Sequence, residues 1–153
     1  MIKIIQNERS MKAFGAELIQ QCEGAGVITL KGNLGTGKTT IVRGALESRG
    51  INSGIRSPTY TLIEYYELGG LCVAHFDLYR LGDAEELEYL GYRDYLQSDT
   101  LCFIEWPERA EGYLNNIGLQ INIEYIEDGR KIELVPGNVW GQNLIQRLRL
   151  PKF

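Results

Sequence analysis

Gly32 and Gly37, followed at once by Lys38 and Thr39, fill the spacing G-x-x-x-x-G-K-[ST]. Each residue type has a task in holding a chain of phosphates. Glycine lets the backbone curl until successive N–H groups, through Gly35, Thr36 and Gly37, point at one anion. A helix that opens there adds the positive end of its dipole. The Lys38 ammonium reaches the outer phosphates, and the Thr39 hydroxyl is a ligand for magnesium. Such a loop needs a carboxylate at a nearby strand end to complete the metal's surroundings. Two acids follow apolar runs, Asp77 after "CVAHF" and Glu105 after "LCFI", and their positions alone do not choose between them. Thr59 and Thr61, in "SPTYT", either turn hydroxyls toward the terminal phosphate or simply begin a strand after proline.

For these residues to meet, the chain must build strand, loop and helix around the glycines. "GVITLK" reads as a short buried strand, and Ile41, Val42, Ala45 and Leu46 mark a helix that ends near Gly50. Ahead of them, Met11, Phe14, Leu18 and Cys22 recur at helical spacing, with Asn7 as cap and Gly24 as stop. Segments Thr61–Tyr66 and Leu71–Phe76 flank "ELGG" and predict an antiparallel hairpin. "DAEELEYLG" predicts a helix with a capping box, Asp83 with Glu86, stopping at Gly91. "TLCFIEWP" is a second short buried strand, closed by Pro107. Leu119, Ile121, Ile123 and Tyr125 alternate with polar residues, and the turn "EDGR" leads to Ile132 and Leu134, a second hairpin with one wet face. "WGQNLIQRLRL" predicts a closing helix. The mixture is an α/β fold with a parallel core and antiparallel additions.

Composition narrows the setting. A chain of 153 residues fits one domain over its whole length, burying roughly 68–70% of its unfolded surface. No apolar run approaches the ~20 residues that cross a bilayer, and the opening "MIKIIQNERS" lacks the features of a signal peptide. A cytoplasmic protein without membrane contact is expected. Cys22, Cys72 and Cys102 stand apart, without ligand spacing, and read as reduced thiols. The net charge is −4, and the acidic run Asp83–Glu88 would repel a phosphate backbone. A nucleic acid, if involved, is met through another protein. His75, the sole histidine, reads as a hydrogen-bonded packing residue.

The set "GNLGTGKTT", "SPTYTL", "HFDLYRL", "EELEYLGYRDY" and "IEWPE", in this order, resembles the bacterial tRNA threonylcarbamoyladenosine biosynthesis ATPase family of the TsaE (YjeE) type. The likeness is dense from about Gly26 to Pro107 and looser in the C-terminal hairpin. It implies a P-loop NTPase-like three-layer sandwich, ATP and Mg2+ as ligands, and slow hydrolysis. It also implies TsaB-type and TsaD-type partner proteins, with tRNA reached only through their complex. Carried over by residue, Lys38 contacts phosphates, and Thr39 and Glu105 hold magnesium. Asp77 stands near the metal or orders the attacking water. Thr40 covers the α-phosphate side, and the segment with Ser57, Thr59 and Thr61 is switch-like. Trp106 matches the family's Glu-Trp pair. Ser10 and Arg130 are expected to border the adenine, and Arg80 either meets the phosphates or pairs with Asp83.

Two other classes share the loop. A small-molecule kinase needs an acceptor pocket and an arginine-bearing lid, whereas the arginines here come singly. A GTPase needs N-K-x-D, which is absent. The expectation is therefore an ATPase whose hydrolysis resets or activates a partner transferase, with the small kinase as the alternative.

Overall fold

The computed structural model describes residues 1–52, 55 and 61–151. In chain order the elements are β1 (Ile2–Ile5), α1 (Glu8–Gln21), β2 (Gly26–Lys31), α2 (Lys38–Ser48), β3 (Ile63–Leu68) and β4 (Leu71–Asp77). There follow α3 (Glu86–Tyr89), α4 (Tyr92–Gln97), β5 (Thr100–Glu105), a 3-10 turn (Pro107–Ala110), β6 (Leu119–Ile126), β7 (Gly129–Pro136) and α5 (Val139–Arg149). The strands form one sheet in the order β1-β7-β6-β2-β5-β4-β3. Its centre is parallel: β2 lies between β6 and β5, and β5 also pairs with β4. The flanks are antiparallel, with β3 on β4, β7 on β6 and β1 on β7.

Alternation along the strands splits the core in two. Ile28, Leu30, Leu101, Phe103, Ile121 and Ile132 face α1, α2 and α5, while Val27, Ala74, Phe76, Cys102 and Ile104 face Leu87, Tyr92 and Ala110 of the short helical turns. The result is a three-layer α/β sandwich, and successive residues on one strand serve different layers. Among the described residues no helix is long and apolar enough to cross a membrane.

The helix that carries the loop is fixed by an unusually close crossing. A methyl group at Gly15 of α1 would overlap the Ile41 carbonyl oxygen of α2, and one at Gly44 of α2 would overlap the Lys12 carbonyl oxygen of α1. The two helices therefore meet backbone to backbone. Helix propensity favours Gly15→Ala by about 1 kcal/mol, but the obstacle is main chain and cannot rotate away, so overpacking wins. Gly15→Ala is expected to lose about 1–3 kcal/mol of stability, read as a lower urea midpoint at unchanged slope.

Several expected elements are present. Asn7 caps α1, its Oδ1 accepting from the Ser10 N–H at 2.8 Å, and Gly69 and Gly70 at positive φ make the turn between β3 and β4. The acidic stretch differs. It is not one helix from Asp83, because only Glu86–Tyr89 is α-helical. The capping contacts do form: Asp83 N–H donates to Glu86 Oε1 at 3.2 Å, and Asp83 Oδ1 accepts from Glu85 N–H at 3.0 Å. They are spent on a tight turn, and Gly91 (φ 66) then redirects the chain into α4. β3 begins at Ile63 and not at Thr61, since Leu62 takes a left-handed backbone (φ 65). β1 and α4 had no counterpart among the expected elements.

Candidate functional site

The phosphate loop joins the end of β2 to the start of α2. Gly37 is the N-cap of α2 at φ 112, a conformation open to glycine, and Lys38, Thr39 and Thr40 form the first turn. Their N–H groups have no partner inside the helix. Register places Glu105 nearer to them, as the Cα partner of Leu30 on β2, the strand that leads into the loop. β4 and β5 run parallel with Asp77 and Glu105 as Cα partners, so Asp77 stands beside Glu105 at the C-terminal ends of these strands.

Glu105 is the acid that meets Thr39. The Thr39 hydroxyl donates to Glu105 Oε1 at 2.8 Å, with Oε2 at 3.0 Å. These groups come together from 66 residues apart. His75, two residues before Asp77 on the same face of β4, approaches the other side: its Nε2 lies 2.5 Å from Glu105 Oε2, with both side chains buried. The expectation of a hydrogen-bonded packing histidine holds, but its partner is the site carboxylate. Buried carboxylates need such company, since an unpaired charge out of water is costly.

Lys38 is folded back on its own loop. Nζ donates to the carbonyls of Gly32 at 2.5 Å and Asn33 at 2.9 Å. The Trp106 ring lies over it, 4.3 Å from nitrogen to centroid. Burial lowers the Lys38 pKa, and the charges of Glu105, Asp77 and Glu108 oppose that shift. Trp106 reaches this place because its backbone is left-handed (φ 58), turning β5 at once into the 3-10 turn. Such a backbone costs a bulky residue roughly 1–3 kcal/mol. A tilted ring contact with Tyr79, with centroids 4.9 Å apart, helps to hold it. Asp77 is buried, and its Oδ1 accepts from the Tyr79 N–H at 3.1 Å.

Thr39, Lys38, Glu105, Trp106, Asp77 and Tyr79 line a cleft of about 380 Å³ together with Thr40 and Arg80. A neighbouring cleft of about 230 Å³ is bordered by Asn7, Met11, Thr36, Thr40 and Arg130. Arg130 thus stands by the loop. Ser10 does not line either cleft, its N–H being bound to the Asn7 cap. Thr61 lies in a turn, its hydroxyl donating to Glu64 Oε1 at 2.9 Å, outside the clefts. Ser57 and Thr59 fall outside the described residues. Burial pushes the Cys22 and Cys102 thiols up to about 12, so neither is a ready nucleophile.

Sequence reasoning missed the partnership of His75 with Glu105. The signal was the two-residue step from His75 to Asp77 in a strand, which puts both side chains on one face. It also missed Tyr125, whose hydroxyl donates to the Leu34 carbonyl of the loop at 2.9 Å; a hairpin-end tyrosine carries no mark of such a contact.

Residues 5–132 match the family described as threonylcarbamoyl adenosine biosynthesis protein TsaE. A Haemophilus influenzae protein named tRNA threonylcarbamoyladenosine biosynthesis protein TsaE is 44% identical over 150 residues, spanning 95% of each chain. An Aquifex aeolicus protein of the same name is 34% identical over 133 residues, covering 86% of this chain and 92% of its own. The crystal structure of Bacillus subtilis YdiB superposes with a TM-score of 0.76 at 30% identity, over 97% of this chain and 94% of that one. With the phosphate loop, the Thr39–Glu105 pair and most of the sheet inside the matched span, the chain belongs to the TsaE family of tRNA threonylcarbamoyladenosine biosynthesis proteins.

Proposed function

We propose that this chain binds ATP with magnesium in the cleft beside the phosphate loop and hydrolyses it slowly, as one component of the machinery for tRNA threonylcarbamoyladenosine. On this reading its partners are TsaB-type and TsaD-type proteins, and hydrolysis resets or activates the transferase among them. The observation that carries the reading is the Thr39–Glu105 contact at the mouth of a glycine loop, with Lys38 alongside.

The donors suit the ligands. A threonine hydroxyl and a carboxylate are hard oxygen donors, the kind magnesium takes from a protein while nucleotide oxygens and water complete its shell. Thr39 and Glu105 would hold it. Bound there, magnesium neutralises charge on the outer phosphate oxygens. The N–H groups of Gly35, Gly37 and the first turn of α2 bind the phosphates, while the Thr36 N–H donates to the Asn33 carbonyl at 3.3 Å. Lys38 exchanges two carbonyl partners for phosphate oxygens, a stronger, charge-assisted contact. His75 keeps one Glu105 oxygen fixed so that the carboxylate does not swing away from Thr39. Trp106 roofs Lys38 and keeps bulk water off the ammonium. Asp77, at the adjoining strand end, accepts a hydrogen bond from the attacking water and orients it.

Phosphate release by the chain alone and with both partner proteins tests the proposal. Slow release that rises several-fold in the mixture is expected. Rates that ignore the partners, or rapid transfer of the terminal phosphate to a small acceptor, would move the assignment to a kinase.

A further inference from the structure

Four carbonyls of the phosphate loop carry a side-chain donor: Gly32 and Asn33 from Lys38, Leu34 from Tyr125, and Thr36 from Arg130. The first two share a donor that leaves when Lys38 turns to a phosphate, although Asn33 keeps the Thr36 hydroxyl at 2.8 Å. The last two do not, because they come from a different part of the molecule. Tyr125 of β6 and Arg130 of β7 are register partners across the second hairpin. They extend the rows in which Ile123 and Ile132 are buried against the helices, so both side chains point toward the loop. The Tyr125 hydroxyl donates to Leu34 O at 2.9 Å, and Arg130 Nε donates to Thr36 O at 3.2 Å. The guanidinium carbon lies 4.1 Å from the Tyr125 ring centroid, so each side chain holds the other in place.

In a planar trans peptide the C=O of one residue and the N–H of the next point in opposite directions. A carbonyl pinned outward therefore aims the following N–H inward. Tyr125 acts through Leu34 on the Gly35 N–H, and Arg130 acts through Thr36 on the Gly37 N–H. Both nitrogens belong to glycines at positive φ (76 and 112), where nothing in the residue itself resists a peptide flip. The space is also matched: a Cβ at Gly35 would come within 2.8 Å of the Tyr125 hydroxyl.

We infer that Tyr125 and Arg130 are positioning residues that hold the loop's inward N–H groups ready for phosphate. Arg130 thus has its Nε committed to the loop backbone. The inference rests on the proposed nucleotide binding for its consequence, and on the loop alone for its geometry.

The experiment has two arms. In the unliganded protein, amide NMR of Tyr125→Phe is expected to broaden or split the Gly35 signal, and Arg130→Lys the Gly37 signal, with core amides unchanged. By calorimetry with MgADP, Tyr125→Phe should bind about three- to tenfold more weakly, the scale of one net hydrogen bond. Arg130→Lys should bind about tenfold more weakly although its charge is kept, because a lysine ammonium lacks the planar fork. Unchanged Gly35 and Gly37 signals overturn the proposal whatever the affinities. So does broadening spread over the whole chain, which marks general loosening, and so does wild-type affinity in both variants. A wild-type chain that takes up no MgADP overturns the functional reading instead, and the amide spectra then decide the brace by themselves.

Discussion

Lys38→Ala is expected to reduce phosphate release by about 10²–10³-fold and to weaken nucleotide binding with it. The substitution removes the ammonium that sits inside the loop, and with it the donor to Gly32 and one of the donors to Asn33. Two effects therefore act together: developing charge on the phosphates goes unmet, and the loop loses part of its internal support. Lys38→Arg separates them. It keeps the charge but places a wide, planar group where a compact ammonium fits beneath Trp106. Little recovery is expected if the contact is geometric, and most of the activity returns if charge alone matters. Steady-state release and calorimetric titration of the three proteins give the answer.

Glu105→Gln should also cost about 10²–10³-fold in turnover, with the opposite consequence for the fold. The carboxylate is buried, held by the Thr39 hydroxyl and His75 Nε2. A glutamine keeps the shape and retains hydrogen-bonding capacity toward both, while removing a charge whose burial is expensive. Stability equal to or above that of the parent is therefore expected alongside the fall in rate, as on the proposed function the charge is held for turnover and not for folding. A thermal scan next to a release assay reads both. A marked loss of melting temperature would show that Glu105 is chiefly a structural residue, and normal turnover would remove it from the chemistry.

What could be read from the amino acids follows the distance over which each feature is written. The loop was legible because its requirements, glycine, lysine and threonine at fixed spacing, lie within eight consecutive residues, 32–39. The choice between Asp77 and Glu105 was not, because β4 and β5 must first be laid side by side before either acid has a location. The resemblance to a known family named Glu105 where spacing left both acids open, and the contact with Thr39 agrees with it. The sheet's centre was visible in its apolar runs. β1 was not, because four residues at the start of the chain gain strand structure only by pairing with β7 near its other end. The acidic stretch was misjudged because a capping box reports the start of a turn and says nothing about how far the helix continues. His75 and Tyr125 show the same limit in side chains. Each carries a polar tip whose partner lies far away along the chain, at Glu105 and Leu34.

The chain holds two tryptophans, and they occupy opposite ends of the parallel strands. Trp140 covers Gly26 at the start of β2 and donates its indole N–H to the Glu23 carbonyl, while Trp106 follows the last residue of β5 and stacks over Lys38. Any departure of the ammonium from beneath its ring changes the electrical surroundings of one indole and leaves the other as it was. The protein thus carries, without labelling, a fluorescent gauge of its own loop and an internal standard by which to read it.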